Sequence, residues 1–153
     1  MVKIRKMQEA DLDEIAEVAA QSFQRPWSRQ GFAEALPMEN ACFFIAEDER
    51  AILGYCGLYM ATDEGEIINV AVCPKARKRG IADLLLRALI EEGHRNGVRR
   101  FFLEVRVSNE AAIRLYEKHG FSRQGIRKNF YQKPCEDAYV MNRIDEENML
   151  NPG

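Results

Sequence analysis

The sequence predicts one mixed α/β (α+β) domain built on a central sheet. Three observations support this prediction: 153 residues suffice for one core, strand-like and helix-like hydrophobic periods alternate along the chain, and no linker or repeat divides it. Hydrophobic residues at 46% and charged residues at 30% are ordinary globular values, which exclude a disordered chain. The expected order is β-α-α-β-β-β-α-β-α-β-β over residues 1–144, followed by a C-terminal tail at 145–153.

The first half of the chain predicts one strand, two helices and two further strands. Asp11, with Glu14 three residues later, is expected to cap the first helix. The turn at Pro26 ends that helix, and Ser28 is expected to cap a short second one. The expected elements are a strand at 2–5, helices at 12–23 and 29–36, and strands at 42–47 and 53–60.

The second half predicts a strand–helix–strand unit, then a helix and a closing strand pair. Residues 66–72 form a nearly continuous apolar run, which suits a strand buried on both faces. From Ile81 the apolar side chains recur at helical spacing until the stop signal at Asn96 and Gly97. The crossover to the next strand is expected to be parallel and right-handed. The later elements are expected at 101–107, 109–119, 121–127 and 137–142.

Composition and charge exclude several classes of function. The formal charge of -2 offers no general attraction to nucleic acid or anionic lipid, so no direct nucleic-acid partner is expected. The longest uncharged run, residues 51–62, is too short to span a membrane. No apolar stretch follows the basic residues at 1–6, so no secretory signal is expected. We therefore expect a cytoplasmic protein without a membrane partner. Four cysteines without C-x-x-C spacing and only two histidines predict no metal site.

A basic segment with one glycine opens the helix predicted at Ile81. It reads Lys-Ala-Arg-Lys-Arg-Gly over residues 75–80. A helix N-terminus presents unpaired N–H groups and a partial positive charge, which together bind phosphate oxygens. A basic run is often only a solvated loop, but its place directly after an apolar strand favours a phosphate site. The G-x-G-x-x-G and P-loop patterns are absent, which argues against a Rossmann oxidoreductase and an ATP-hydrolysing enzyme.

This segment resembles the acetyl-CoA-binding motif of the GNAT superfamily of N-acetyltransferases. The family pattern, Arg/Gln-x-x-Gly-x-Gly/Ala, is matched by Arg77, Gly80 and Ala82. The segment around Glu104 and the helix carrying Tyr116 are similar to the next two family motifs, so that the likeness spans about half of the chain.

Two further segments resemble the branch of this family that acetylates protein N-termini, including the ribosomal-protein alanine N-acetyltransferases. They are the turn Pro26-Trp27-Ser28 and residues 127–138. One departure is Phe130, which stands where relatives often carry the first Tyr of a Tyr-Tyr pair. This departure concerns peptide recognition and leaves the acetyl-transfer motifs intact.

The resemblance implies a GNAT-like fold: a twisted, mostly antiparallel sheet with a parallel β-α-β crossover that binds acetyl-CoA, and flanking helices. The strands at 66–72 and 100–107 are expected to splay apart and admit the pantetheine arm. Acetyl-CoA is the implied cosubstrate, and no metal is implied. The implied cofactor-binding residues are Val70, Ala71, Val72, Arg77, Lys78, Arg79, Gly80, Ile81, Ala82, Asp83 and Asn109.

The resemblance also assigns the chemistry and the acceptor. Glu104 matches the general base and Tyr116 the general acid, while Trp27 and Tyr131 match walls of the peptide channel. These types suit the reaction, because an amine must lose a proton to attack a thioester and the departing thiolate must gain one. The leading hypothesis is acetylation of a protein N-terminal α-amine, with a ribosomal protein as a candidate substrate. Acetylation of lysine or a small amine, and a non-catalytic CoA-binding module, are the alternatives.

Overall fold

Seven strands form one sheet in the computed structural model, which describes residues 1–23, 25–132 and 134–145. The strands are β1 (Lys3–Lys6), β2 (Ala41–Glu47), β3 (Ile52–Ala61), β4 (Glu64–Val72), β5 (Arg100–Arg106), β6 (Ser122–Tyr131) and β7 (Glu136–Ile144). The helices are α1 (Leu12–Ser22), α2 (Arg29–Ala35), α3 (Ile81–Arg95) and α4 (Glu110–Lys118). The strand order is β1-β2-β3-β4-β5-β7-β6, and only β4 and β5 pair in parallel. The predicted element order and mixed sheet are confirmed.

The helices cover both faces of the sheet, and each face has its own hydrophobic core. On one face α3 and α4 pack against the strands, with Leu85, Leu89 and Ile113 among the buried side chains. On the other face α1 and α2 bury Ile15 and Phe32 against β2 and β3. Within the described ranges, no helix is both long and apolar enough to cross a membrane.

The parallel pair is short, because β4 bends away from β5. The two strands pair only over Glu64–Glu66 and Arg100–Phe102. Opposite β3, Gly57 faces Asn69 while Leu58 faces Ile67, so Ile68 is an extra residue that forms a bulge. A bulge bends its strand and increases its twist. The predicted splaying of these strands is confirmed, whereas the prediction of a strand buried on both faces is wrong: much of β4 beyond Ile67 is only half-buried.

Local capping was predicted correctly at one helix and wrongly at another. The Ser28 hydroxyl accepts a hydrogen bond from the Gly31 N–H at 3.1 Å, as a helix cap does. Asp11 makes no such cap for α1. Its carboxylate instead accepts two 2.9 Å hydrogen bonds from Arg5, and this contact lowers the pKa of Asp11. A tertiary ion pair, together with a 2.7 Å hydrogen bond from the Gln8 N–H, therefore takes the place of the expected helix cap.

The boundary of the predicted tail needs one correction. Asp145 was assigned to the tail, but it is only 3% exposed. Its carboxylate lies 2.6 Å from His94 Nε2 and accepts a hydrogen bond from Arg143 Nε at 3.0 Å. Asp145 thus belongs to the packed domain, and the rest of the predicted tail, 146–153, lies outside the described residues.

Candidate active site

A cleft of about 630 Å³ opens where β4 leaves β5. The end of β4, the following loop and the start of α3 form one wall, and α4 forms the other. Eleven of the predicted site residues line it: Val70, Ala71, Val72, Arg77, Lys78, Gly80, Ile81, Ala82, Asp83, Asn109 and Tyr116. Arg79, Glu104, Trp27 and Tyr131 do not, so the structure divides the predicted residues into two groups.

The loop before α3 forms a left-handed turn, which we call the phosphate turn (residues 77–80). Lys78 has φ of 64° and Gly80 has φ of 76°. Gly80 is also the N-cap of α3 and supplies no side-chain hydrogen bond, so the first-turn N–H groups of a 15-residue helix remain available to a ligand. A Cβ atom at Gly80 would meet nothing within 4 Å. Glycine is thus favoured here by the backbone angle and not by lack of space.

Asp83, a lysine and a histidine tie α3 to α4 beside this turn. Asp83, in the first turn of α3, lies 3.0 Å from Lys118 Nζ and 2.9 Å from His119 Nε2. The hydrogen bond from His119, followed by that from Lys118, holds the pKa of Asp83 below its ordinary value. The negative charge that Asp83 brings to the cleft is therefore compensated by residues from α4 and its C-terminal end.

Helix α4 directs Asn109 and Tyr116 toward the cleft. Asn109 caps the helix, since its side-chain oxygen accepts a hydrogen bond from the Ala112 N–H at 3.2 Å. Tyr116 lies seven residues later, nearly two turns on, and therefore on the same helix face. Its side chain is 7% exposed, and burial raises the pKa of the hydroxyl well above its ordinary value. Tyr116 thus keeps its proton at neutral pH and can donate it inside the cleft.

Glu104 lies on the opposite face of the sheet. Its neighbours Leu103 and Val105 are buried in the core beneath α3 and α4, and side chains alternate along a strand. Glu104 is 15% exposed, and its Oε2 lies 3.5 Å from Arg127 Nη1 on β6. The proposed base and the proposed acid therefore approach the opening between β4 and β5 from opposite faces.

The structure adds a second carboxylate, Glu66, that sequence reasoning missed. Glu66 is the last residue of β4 that pairs with β5. Burial raises the pKa of Glu66, and the negative charge of Glu104 raises it further. We call Glu66 and Glu104 the carboxylate pair. The available signal was a charged residue at the start of an otherwise apolar strand.

Tyr131 joins this group, whereas Trp27 does not touch the cleft. The Arg106 guanidinium lies 4.4 Å from the Tyr131 ring centroid. Burial raises the pKa of Tyr131 to about 12, and the charge of Glu104 adds to this. The ring centroids of Trp27 and Tyr59 lie 6.3 Å apart. Tyr59, on β3, is the pairing partner of Glu66 on β4. Trp27 and Tyr59 line a separate shallow cavity of about 440 Å³.

Further cleft residues were not predicted from the sequence. They come from the end of α1, from the loop after β4 and from the outer turns of α4, namely Ser22, Phe23, Ala76, Ala111, Ala112, Arg114, Leu115 and Lys118. Phe23 lies within the helix predicted at 12–23, but it follows the last residue of α1 and lines the rim of the cleft. Such residues carry no motif, because their role depends on which elements the fold brings together.

Comparison with known proteins agrees with this geometry. The sequence profile of the acetyltransferase (GNAT) family matches residues 12–121. A relative from Bacillus subtilis is 38% identical over 140 residues, which cover 90% of this chain and 92% of that protein. The ribosomal protein bS18-alanine N-acetyltransferase of Escherichia coli is 32% identical, covering 92% of this chain and 96% of its own. The crystal structure of the Escherichia coli enzyme superimposes with a TM-score of 0.87 over 95% of this chain and 96% of that one, at 32% identity.

Proposed function

The chain belongs to the acetyltransferase (GNAT) family, and from this premise we propose that it transfers the acetyl group of acetyl-CoA to the α-amine of a protein N-terminus. The observation that carries the proposal is the arrangement around the opening between β4 and β5. A carboxylate pair lies on one face of the sheet, and a protonated tyrosine lies on the other. An amine and a thioester that meet in this opening would find a proton acceptor and a proton donor at once.

The residues of the cleft fit acetyl-CoA. The uncapped first turn of α3 and the cations Arg77 and Lys78 suit a pyrophosphate. The half-buried end of β4, unpaired on its β5 side, suits an extended arm with amide groups, such as pantetheine. We assign cofactor binding to the predicted residues that line the cleft. Arg79, which does not line it, contributes only to the positive potential of the phosphate turn.

When bound, acetyl-CoA supplies a thioester carbonyl that a neutral amine can attack. Glu104, with Glu66 beside it, accepts the proton that the amine loses as the C–N bond forms. Tyr116 donates its proton to the sulfur as the C–S bond breaks, since its raised pKa keeps the hydroxyl protonated until then. Tyr131 and Trp27, together with Tyr59, are assigned to the channel by which the peptide reaches the carboxylate pair.

The α-amine is favoured over lysine by the strength of base that the site offers. A free α-amine has a pKa of about 7.7–8.0 and lysine about 10.4, a difference of roughly 3.5 kcal/mol in the cost of deprotonation. Carboxylates are weak bases by chemical type. The two histidines are already engaged, His94 with Asp145 and His119 with Asp83. The names of the relatives support a ribosomal protein with N-terminal alanine as the substrate, which would be modified in the cytoplasm.

Peptide assays test the proposal directly. One peptide begins with a free alanine and carries an internal lysine, and its control has the same sequence with a blocked N-terminus. Mass spectrometry should locate the acetyl group on the α-amine of the first peptide, at a rate on the order of 100-fold above any reaction of the control. Comparable acetylation of lysine in the blocked peptide would reassign the enzyme to lysine substrates. Binding of acetyl-CoA without thiol release on any peptide would indicate a non-catalytic module.

A further inference from the structure

The α4 wall of the cleft carries two cations that the acetyl-transfer chemistry does not use, Arg114 and Lys118. They are four residues apart, so they stand one turn from each other on the same stripe of the helix. Ala111 precedes them on that stripe, and its small side chain leaves the cleft open near Asn109. The wall thus changes from small side chains at the start of α4 to positive charges at its end.

Both cations are placed to meet a ligand in the cleft. Lys118 reaches across to α3, where its ammonium lies 3.0 Å from Asp83 in the first turn. Arg114 lies 4.0 Å from Glu110, its acidic partner among the residues that the structure describes, and this exposed pair contributes little. The side chains of Arg114 and Lys118 are 70% and 69% exposed, so neither is committed to the core.

Acetyl-CoA carries more negative charge than the groups on the α3 side of the cleft can neutralise. The start of α3 with Arg77 and Lys78 provides for one pyrophosphate. Acetyl-CoA also carries a separate 3′-phosphate on its ribose, a monoester with a charge of about -1.5 to -2 at neutral pH. An arginine matches the geometry of such a group by pairing with two of its oxygens, and a lysine adds a point charge.

We propose that Arg114 and Lys118 bind the 3′-phosphate of acetyl-CoA and make the enzyme select CoA esters over their 3′-dephospho counterparts. The inference rests on the proposed function and names the side chains that would bind the 3′-phosphate end of its cosubstrate. Lys118 would leave Asp83 when it turns toward the phosphate. His119 Nε2, 2.9 Å from Asp83, would remain as the partner of that carboxylate. The carboxylate in the cleft therefore keeps a partner when the ligand is bound.

Calorimetric titration with CoA and with 3′-dephospho-CoA tests this inference without relying on turnover. The native protein should bind CoA about 100-fold more tightly. Arg114→Ala and Lys118→Ala should each reduce that preference about tenfold, and the double variant should bind the two nucleotides nearly equally. Its affinity for 3′-dephospho-CoA should stay close to native. The preference should also shrink as salt is added, because both cations are exposed.

Arg87→Ala is the matched control, since Arg87 is an exposed cation on α3 that does not line the cleft. It should leave the preference unchanged. If Lys118 acted only by neutralising Asp83, Lys118→Ala would weaken the binding of CoA and of 3′-dephospho-CoA equally. That result would overturn the assignment of Lys118 to the 3′-phosphate. Equal binding of both nucleotides by the native protein would overturn the whole inference while leaving the proposed function in place. Failure of both to bind would overturn the proposed function as well.

Discussion

The two sides of the opening between β4 and β5 are built in different ways. On the side proposed for the cofactor, the phosphate turn and the first turn of α3 form one continuous segment whose backbone would make the site. On the side proposed for the amine, the carboxylate pair, Tyr131 and Tyr59 come from four strands, and their side chains would make the site. A backbone site needs only a few residue types in a fixed local order. A side-chain site depends on the register between strands, and its residues are far apart in sequence.

This difference predicts that substitutions on the two sides separate kinetically. Changes at the phosphate turn should act on the affinity for acetyl-CoA. Changes on the amine side should act on peptide use and on the pH dependence of the rate. Tyr116 is buried between the two sides. Its substitution should lower turnover and leave the affinities for acetyl-CoA and for the peptide unchanged. The substitutions below test this division, from the largest expected effect to the smallest.

Tyr116→Phe removes the hydroxyl and keeps the aromatic ring, whose centroid lies 5.8 Å from that of the Phe121 ring. Turnover should fall by roughly 10²–10⁴-fold, because the departing thiolate loses its proton donor. Affinity for acetyl-CoA by calorimetry and the melting temperature should remain close to native. If turnover stayed near normal while chemistry limited the rate, Tyr116 would be a packing residue only.

Glu104→Gln should lower kcat about 100-fold, since it removes the proposed proton acceptor. Glu66→Gln should cost about tenfold, because Glu104 remains to take the proton. The charge of Glu104 is one cause of the raised pKa of Glu66. Removing that charge should lower the pKa of Glu66, so Glu66 in Glu104→Gln should ionise at a lower pH than Glu66 does in the native protein. A larger loss in Glu66→Gln than in Glu104→Gln, measured in parallel pH–rate profiles, would make Glu66 the base.

Gly80→Glu places a negative charge at the start of α3, where phosphate is expected. Affinity for acetyl-CoA should fall about 30-fold, from the charge and the lost helix-terminus interaction together. Two controls separate this from backbone strain. Gly80→Asn tolerates positive φ, and its Cβ would meet nothing within 4 Å, so binding should be kept. Gly97→Glu has the same positive-φ cost at φ of 84°, but it lies at the end of α3, away from the cleft. Unchanged affinity in a folded Gly80→Glu protein would remove the phosphate assignment.

Tyr131→Phe should have the smallest effect. Its hydroxyl, with a pKa of about 12, is neutral at any working pH, so the substitution removes one hydrogen-bonding group without changing charge. We expect a rise of about threefold in the KM for peptide, the loss of one modest hydrogen bond, with the KM for acetyl-CoA unchanged. An equal rise in both KM values would show that Tyr131 does not belong to the amine side alone.

The same contrast explains how far sequence reasoning reached. The sequence named every residue of the phosphate turn, because a strand end, a glycine and a helix start follow each other directly. All of them except Arg79 line the cleft, and their binding of phosphate stays a prediction. Ser28 was likewise predicted as a cap, since its partner Gly31 is three residues away. Glu66 was missed because its significance depends on Glu104, on the next strand of the sheet. The cap assigned to Asp11 failed for a similar reason: Arg5, on β1, provides a stronger partner than the helix terminus does.

The brevity of the β4–β5 contact has a consequence for how the protein opens and closes. Three residue pairs are the whole ladder between a four-stranded block, β1 to β4, and a three-stranded block, β5 to β7. Each block is joined internally by long antiparallel ladders. The core beneath α3 runs across both blocks, so side chains keep these two units joined. Hydrogen exchange should therefore be faster at the amides of β4 along this seam than within either unit. A ligand that fills the seam would join the units and raise the melting temperature with its concentration, so that the folded stability of the protein would follow the supply of its own cosubstrate.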